Sequence, residues 1–382
     1  MQNETAFDVA VVGGGIMGSA TALNLARAGM RTIVLERRGL CMEASGVNAG
    51  TLTHRTGPAE MQAYYTRAIQ LWKSSAQWLG ADVGFRERGG LTIGFTETDS
   101  ERIVAAYESR KDTEVEIELV HGNRARELEP NLSDRVALAC WFPQDGYANS
   151  NRTGYGFHKA LTQAGATVRT GSEVLDIEAG DGGFTLRTKT DSVRARRIVI
   201  AAGAWVRKLV ELFGLEFTQT ITCRVNMMNV MERMPRLFDR IITHANGGLT
   251  LKQPDHGTIL IGGGWQGLGS PQTGGVEIIR DNLASNFRLT HSAFAGVADG
   301  RWVRGWLGIE ARIANDAPMA GALPGIDGAF VVGCFHSGWT AGPYIGKLMA
   351  DFVLGRETEL PLFDPARVMQ GKSASASTKV AS

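Results

Sequence analysis

A glycine-rich segment near the start of the chain constrains its fold more than any other feature. The apolar run Phe7–Val12 precedes the sequence Gly-Gly-Gly-Ile-Met-Gly at residues 13–18, and residues 19–29 have the composition of a helix. A second apolar run, Thr32–Leu35, ends at the acidic residue Glu36. This order of strand, glycine turn, helix, strand and acid is typical of a βαβ unit that binds a dinucleotide.

Each glycine of this segment has a separate physical role in such a unit. Gly13 permits the tight turn, Gly15 lets the backbone approach a pyrophosphate, and Gly18 lets the helix pack close to the first strand. The first helical residues, Ile16 and Met17, lie where unpaired N–H groups and the positive end of the helix dipole face the phosphates. The turn therefore predicts a dinucleotide site.

The residues after the second strand indicate which dinucleotide binds. Glu36 is placed to accept hydrogen bonds from ribose hydroxyls, which suits FAD or NAD and disfavours NADP. Arg37 follows it within the predicted site. The segment 41–51 is rich in small residues, where a compact nicotinamide domain would continue with its next helix. Because small residues let the backbone lie against an extended ligand, we predict FAD as the cofactor.

With this segment the chain resembles the D-amino-acid oxidase-like family of FAD enzymes, which includes glycine oxidase, sarcosine oxidase and related amine dehydrogenases. Family members have a similar acid, a short spacer and a Ser-Gly-x-Asn-Ala-Gly-like loop beside the pyrophosphate and flavin. The resemblance implies an α/β fold in which a Rossmann-like FAD-binding domain carries a second, mainly antiparallel β-sheet domain facing the flavin. The implied cofactor contacts in the loop are Ser45, Gly46, Asn48, Ala49, Gly50 and Thr51.

Several later regions of the chain extend the resemblance. In the family, a valine like Val174 presents backbone groups to adenine, and a turn like that at 201–205 passes close to the dinucleotide. Segments 306–321 and 330–343 look like the family's closing Asp-x-x-Pro-x-x-Gly and Gly-His-x-x-x-Gly signatures, each with a departure in spacing. The cofactor contacts implied by these regions are Val174, Ala202, Gly203, Trp205, Gly308, Gly338, Trp339 and Thr340.

A helix predicted from Pro343 onward gives the last of these regions a chemical role. When a flavin accepts a hydride at N5, negative charge develops over N1 and the C2 carbonyl. Free backbone N–H groups at a helix N-terminus can stabilise that charge. We predict that residues 338–342 form this electrostatic site.

The family resemblance implies oxidation of a carbon–nitrogen bond. A C–H next to a neutral amine delivers hydride to flavin N5, and water hydrolyses the resulting imine. Such chemistry requires orientation more than a dedicated acid or base, so no catalytic triad is expected. His54 and His336 lie in regions that match positions near the flavin, where they would tune it; the alternative is that each histidine is structural.

The sequence departs from the family at the residue that holds the substrate carboxylate. Family amino-acid oxidases use an arginine in a Gly-Leu-Arg-Pro-like segment, and Glu310 occupies that place here. Arg312, two residues on, could supply a shifted clamp only if the backbone differs, since residues two apart share a face only in a strand. Alternatively, Glu310 faces a cationic substrate group or is a partner for Arg312. The Glu-Ala-Arg version resembles the catalytic subunits of bacterial opine oxidases and of hydrogen cyanide synthase and hydroxyproline dehydrogenase relatives.

The leading hypothesis is an FAD-dependent amino-acid or opine dehydrogenase that acts as the β-type subunit of a hetero-oligomer. Electrons would leave through partner subunits that help to hold an additional FMN or iron–sulfur centre, because the four scattered cysteines of this chain form no iron–sulfur motif. One rival is a self-contained glycine, sarcosine or D-amino-acid oxidase that makes hydrogen peroxide, with Lys252 as the candidate for oxygen activation. The other is a non-catalytic flavin electron-transfer subunit.

Net charge, cysteine spacing and chain length restrict the class of partner, the location and the number of domains. A formal net charge of +1 offers no field to hold nucleic acid, and the cysteine spacing suggests neither disulfides nor a metal site. The apolar run 9–12 is too short for a signal peptide or a membrane span, so a cytoplasmic location is expected. The 382 residues predict two domains and a tail: an FAD-binding domain of residues 1–85, 145–215 and 305–365, a substrate domain of residues 86–144 and 216–304, and a flexible tail of residues 366–382.

Overall fold

A parallel β-sheet forms one part of the molecule. The computed structural model describes residues 7–313 and 316–371. Short apolar runs form this sheet because other elements cover both of its faces. Its parallel strands are, in spatial order, β22 (Ala329–Gly333), β12 (Ser192–Ile200), β1 (Phe7–Val12), β2 (Thr32–Leu35) and β9 (Thr167–Arg169). Three strands extend it in antiparallel pairing, namely β10 (Asp176–Gly180), β11 (Gly183–Arg187) and β21 (Met319–Ala322).

Helices pack beside the parallel sheet. The helix α1 (Ile16–Arg27) follows β1 across the glycine turn and packs against α10 (Gly338–Val353). The start of α10 differs from the prediction, because Pro343 lies inside the helix and not at its first turn. Burial of the whole first part of α10 explains the earlier start, since tertiary packing outweighs local propensity. The other helices of this part are α2 (Ala44–Val47), α3 (Gln62–Lys73), α4 (Ser75–Trp78), α7 (Ser150–Gln163) and α8 (Val206–Glu211).

A second large sheet is antiparallel except for one strand pair. Its strands are, in spatial order, β20 (Trp302–Arg312), β14 (Thr222–Arg233), β17 (Thr258–Gly262), β16 (Thr250–Lys252), β15 (Ile241–His244), β5 (Gly90–Gly94), β7 (Leu138–Phe142) and β6 (Glu118–His121). Only β15 and β5 pair in parallel among these described strands. The helices α5 (Glu97–Glu108), α6 (Gly122–Leu128) and α9 (Arg280–Ala293) accompany this sheet. The two sheets confirm the predicted α/β fold with a second, mainly antiparallel sheet.

Among the described residues, three smaller sheets are formed by short strands outside the two large sheets. They are β3 (Thr51–Leu52) and β4 (Arg86–Glu87) on either side of β8 (Gly146–Tyr147), the pair β13 (Leu215–Phe217) and β23 (Met369–Gly371), and the pair β18 (Leu268–Gly269) and β19 (Val276–Glu277). In the residues that the model covers, no helix combines the length and the apolar character that a membrane crossing requires.

Two of the predicted boundaries differ from the structure. Residues 366–371 of the predicted flexible tail are ordered, because β23 pairs with β13 and Val368 is fully buried. The rest of that predicted tail, 372–382, lies outside the described residues. The predicted boundary at residue 305 falls inside β20, whose pairing with β14 continues to Arg312.

Candidate active site

A cavity lies at the carboxyl ends of the parallel strands. It is termed the sheet-edge cavity, and its volume is about 1250 Å³ including its open mouth. The last residues of β1, β2 and β22 line it, as does the turn after β12. Ligands of open parallel sheets bind at this edge. The predicted cofactor contacts that line it are Gly13, Gly15, Ile16, Met17, Gly18, Glu36, Arg37, Ser45, Asn48, Val174, Ala202, Gly203, Trp205, Gly338 and Trp339.

The glycine turn has no room for a side chain at Gly13 or at Gly18. Gly13 has a φ of +105°, and a Cβ at this position would lie 2.4 Å from the carbonyl oxygen of Ala201. A Cβ at Gly18 would lie 2.1 Å from the carbonyl oxygen of Gly13, so α1 packs directly on the turn. Gly15 lines the cavity, and the nearest atom to a Cβ there would be Ser45 Oγ at 3.5 Å. The turn thus exposes its backbone to a ligand, as a dinucleotide pyrophosphate requires.

Glu36 joins the glycine turn to the end of β2. Its Oε2 accepts a hydrogen bond from Gly14 N–H at 2.7 Å, and its Oε1 accepts one from Arg38 N–H at 2.7 Å. A carboxylate has about four acceptor sites, so acceptor capacity remains for ribose hydroxyls. Beside it, the guanidinium of Arg37 lies 3.7 Å from the ring centroid of Trp205, and both side chains line the cavity. These residues fit the adenosine end of FAD.

The loop predicted to contact FAD lies between two cavities. Ser45 Oγ accepts a hydrogen bond from Ile16 N–H at 3.0 Å on the side of the sheet-edge cavity. A second cavity of about 1960 Å³, including open solvent, lies on the other side and is termed the Lys252 cavity. Of the remaining predicted contacts in the loop, Gly46 and Ala49 line the Lys252 cavity, Asn48 lines both cavities, and Gly50 and Thr51 line neither.

Lys252 is a buried lysine at the loop. Its side chain is 2% exposed, and Nζ donates hydrogen bonds to Ala49 O and, at 2.7 Å, to Thr51 Oγ1. The ring centroid of Tyr147 lies 5.7 Å from Nζ. Burial lowers the pKa of Lys252 to about 7, so its ammonium charge is partly lost at neutral pH. Lys252 lines the Lys252 cavity and does not line the sheet-edge cavity.

Gly308 and Thr340 were predicted as cofactor contacts but do not line the sheet-edge cavity. A Cβ at Gly308 would lie 1.7 Å from Val47 Cγ2, so the missing side chain lets β20 pack closely on the loop. Thr340 lies in the first turn of α10, where its hydroxyl accepts a hydrogen bond from Thr53 N–H at 3.4 Å. Gly308 therefore supports the loop by close packing, and Thr340 supports the segment after β3 by a hydrogen bond.

His54 lies outside the sheet-edge cavity and has structural partners. The ring is 1% exposed, with Nδ1 3.1 Å from Asp145 Oδ1 and Nε2 3.3 Å from Thr66 Oγ1. Asp145 also accepts hydrogen bonds from the His54 backbone N–H and from the Thr53 hydroxyl. This buried network joins β3 to the turn before β8, so the geometry matches the structural alternative for His54.

Glu310, Arg312 and His336 meet at one end of the sheet-edge cavity. Arg312 Nε donates to Glu310 Oε1 at 2.6 Å, and His336 Nδ1 lies 2.9 Å from the same oxygen. Arg312 Nη2 lies 2.6 Å from His336 Nδ1. Asn226, on the neighbouring strand β14, donates from Nδ2 to Glu310 Oε2 at 2.8 Å. Glu310 and His336 line the cavity, so the carboxylate is held at its wall by three neighbours.

The surroundings of Glu310 keep it ionised. Burial alone would raise its pKa, but the hydrogen bond and charge of His336, together with Arg312, outweigh burial and lower the pKa below the usual value for glutamate. The cluster therefore presents a carboxylate, already charged at neutral pH, to any group in this end of the cavity. No sequence signal identified Asn226, because its contact with Glu310 depends on strand pairing between segments 84 residues apart.

The described residues contain no group of three or more histidine, cysteine, aspartate or glutamate side chains that could hold a metal ion. The glycine turn and Glu36 fit the pyrophosphate and the adenosine ribose, while the start of α10 and the Glu310 cluster lie farther along the same cavity.

Comparisons with known proteins agree with this geometry. The family model described as FAD dependent oxidoreductase matches residues 8–352. Glycine oxidase of Geobacillus kaustophilus is 28% identical over 93% of this chain and 95% of its own length. An opine oxidase subunit of Agrobacterium tumefaciens is 26% identical over 94% of this chain and 97% of its own length.

Solved structures show the same fold. The crystal structure of the Geobacillus kaustophilus glycine oxidase superposes with a TM-score of 0.85, covering 95% of this chain and 97% of that one, at 24% identity. L-Proline dehydrogenase from P. horikoshii gives a TM-score of 0.87 at 20% identity, covering 95% of this chain and 97% of that one. The family resemblance seen in the sequence and the predicted cofactor are thereby confirmed. The chain belongs to the family of FAD-dependent oxidoreductases, and it is an enzyme that uses FAD.

Proposed function

We propose that this enzyme oxidises the C–N bond of an amino acid or of an opine-like secondary amine derived from one. The observation that carries the proposal is the Glu310 cluster, which places a carboxylate, ionised at neutral pH, in the wall of the cavity that fits FAD. The names of similar proteins support it, since they include glycine oxidase, an opine oxidase and dimethylglycine dehydrogenase. All of these names describe enzymes acting on amines that carry a carboxylate.

The chain's own residues would bind and orient the amine. FAD, when bound, supplies an acceptor for the hydride that leaves the carbon next to the nitrogen. Glu310 would accept a hydrogen bond from the N–H of the neutral amine, which is the form that releases hydride, while Arg312 and His336 fix the direction of the carboxylate. Orientation of this kind is the main requirement of such a reaction. Backbone N–H groups at the start of α10 would offset negative charge on the reduced ring.

We further propose that the protein works as the catalytic β-type subunit of a hetero-oligomer, in which partner subunits accept the electrons. Similarity to opine oxidase subunits over nearly the whole length of both chains supports this assignment. Purification from the native host should therefore recover the chain together with further subunits, with an additional FMN or iron–sulfur centre detectable by absorbance. Recovery of a homo-oligomer that carries FAD alone would contradict it.

Anaerobic reduction of the flavin tests the proposed reaction. The holoenzyme is mixed with amino acids, N-methyl amino acids and opines, and loss of flavin absorbance is followed with time. We expect at least one carboxylate-bearing amine to bleach the flavin, with slow reoxidation when air is admitted. If no amine bleaches the flavin, the proposal is wrong and a non-catalytic electron-transfer subunit is favoured.

A self-contained oxidase is the second candidate, and buried Lys252 is the observation that favours it. Such an enzyme would reoxidise rapidly in air, and a cation near the flavin would assist oxygen reduction. We expect Lys252→Met to slow reoxidation by about 100-fold in that case, while anaerobic reduction by the amine changes little. Because burial lowers the pKa of Lys252 to about 7, the wild-type reoxidation rate should fall as pH rises through about 7, and the variant should lose this dependence.

The exposed Lys189 provides the matched control, since Lys189→Met makes the same substitution at a position outside both cavity linings. Stopped-flow absorbance in air-saturated buffer measures each rate. Equal reoxidation rates and equal pH profiles in wild type and Lys252→Met would remove Lys252 from oxygen activation and disfavour the oxidase candidate.

A further inference from the structure

A third cavity adjoins the Glu310 cluster, since Arg312 lines it. It encloses about 1280 Å³ including open solvent, and it is termed the Arg312 cavity. Arg224, Arg312 and Asp316 are the charged residues that line it. Because Arg312 also contacts Glu310 and His336 in the wall of the sheet-edge cavity, the cluster borders both cavities.

Strand register places Arg224 beside Glu310. In the antiparallel pair of β14 and β20, Arg224 is directly opposite Glu310, and Asn226 is opposite Gly308. Directly opposed residues point to the same face, with Cβ atoms about 5 Å apart. The hydrogen bond from Asn226 to Glu310 confirms which face this is. The guanidinium of Arg224 therefore belongs to the same face as the carboxylate of Glu310.

The charges of the two arginines are balanced differently. Arg312 Nε lies 2.6 Å from Glu310 Oε1, and Arg312 Nη1 lies 3.8 Å from Asp316 Oδ2, so two carboxylates surround it. Arg224 is partly buried and forms no ion pair with any carboxylate in residues 7–313 and 316–371. Of the two arginines, Arg224 is thus the one whose positive charge remains available to a ligand.

We propose that Arg224 binds the carboxylate of the substrate, while Arg312 is a positioning residue for Glu310. The inference rests on the proposed function, because it names the residue that makes the enzyme select amines bearing a carboxylate. A guanidinium and a carboxylate side by side on one sheet face match a carboxylate and an amino group on neighbouring carbons of one molecule. In this arrangement Arg224 on β14 binds the carboxylate of the substrate, and Glu310 on β20 binds its amino group.

A matched pair of substrates tests this assignment. The amine that bleaches the wild-type flavin fastest is compared with its carboxamide, which has the same shape and lacks the negative charge. We expect wild type to prefer the acid, and Arg224→Gln to reduce the preference in kcat/KM by about 10- to 100-fold, chiefly through the KM of the acid. Arg224→Lys should retain part of the preference because it keeps the charge. Arg233→Gln, at an exposed position of the same strand, should leave the preference unchanged.

A binding measurement separates failure of this inference from failure of the proposed function. (Methylthio)acetate and (methylthio)acetamide carry sulfur in place of the amine nitrogen, and their binding is measured by perturbation of the flavin spectrum in the holoprotein. We expect Arg224→Gln to weaken binding of the acid by about 10- to 100-fold and to leave the amide unaffected. The inference is overturned if wild type binds acid and amide alike, or if Arg224→Gln weakens both equally. Absence of bleaching by every amine would instead overturn the proposed function.

Discussion

Gly18→Val is expected to yield a protein that does not retain FAD. A Cβ at this position would lie 2.1 Å from the carbonyl oxygen of Gly13 and 2.9 Å from Ala201 Cβ, and a backbone oxygen cannot rotate away as a side chain can. The helix α1 must therefore move off the glycine turn, which removes the N–H groups that face the pyrophosphate. We expect the dissociation constant of FAD to rise by about 100-fold or more.

Absorbance of the purified protein near 450 nm and titration of the apoprotein with FAD measure this effect. Gly180→Val is the matched control, because a Cβ at Gly180 would meet nothing within 4 Å and its φ is not in the left-handed region. The control should bind FAD as wild type does. Retention of FAD by Gly18→Val with unchanged affinity would show that the sheet-edge cavity is not the dinucleotide site.

Glu310→Gln is expected to lower kcat/KM for the preferred amine by about 100- to 1000-fold. The amide keeps the shape of the side chain but loses the charge that attracts the amino group. It also removes one of the two carboxylates beside the partly buried Arg312, so that of this pair only Asp316, at 3.8 Å, still balances the guanidinium charge. We expect FAD to remain bound, because Glu310 touches the cofactor cavity only at its end.

Anaerobic stopped-flow reduction across substrate concentrations measures the loss in Glu310→Gln. Glu277→Gln removes the same charge from an exposed position of β19 and should behave as wild type. A selective loss for amines that are cationic in solution supports a direct contact between Glu310 and the amino group. Unchanged kinetics would remove Glu310 from the substrate site.

Local sequence patterns predicted the part of the site that lies within one βαβ unit. The turn around Gly13 and the acid Glu36 lie on adjacent strands of one βαβ unit, and their positions follow from the spacing of that unit alone. The parallel sheet was predicted from the same unit together with the family resemblance, whereas the second, mainly antiparallel sheet was implied by the resemblance. Strand pairing over a long sequence separation has no such signal, so the partners of Glu310 on β14 were not identified.

Tertiary packing explains why some helices and the C-terminal residues differ from the predictions made from the sequence. The helix α9 was not predicted within the mainly antiparallel substrate domain; on it, buried Asn286 donates a hydrogen bond to Gly262 O at 3.1 Å. The start of α10 and the order of residues 366–371 likewise depend on burial against distant segments. Such contacts outweigh local propensity, and a single sequence does not reveal them.

The sheet-edge cavity is built from segments spread between Val12 and Trp339, and this dispersion links cofactor binding to folding. An unfolded chain cannot assemble such a wall, so FAD binds the folded state alone. Binding of this kind adds about 2.7 kcal/mol to folding stability when free FAD is at 100 times its dissociation constant. We therefore expect the FAD-free protein to unfold, and to be cleaved by proteases, more readily than the FAD-bound protein.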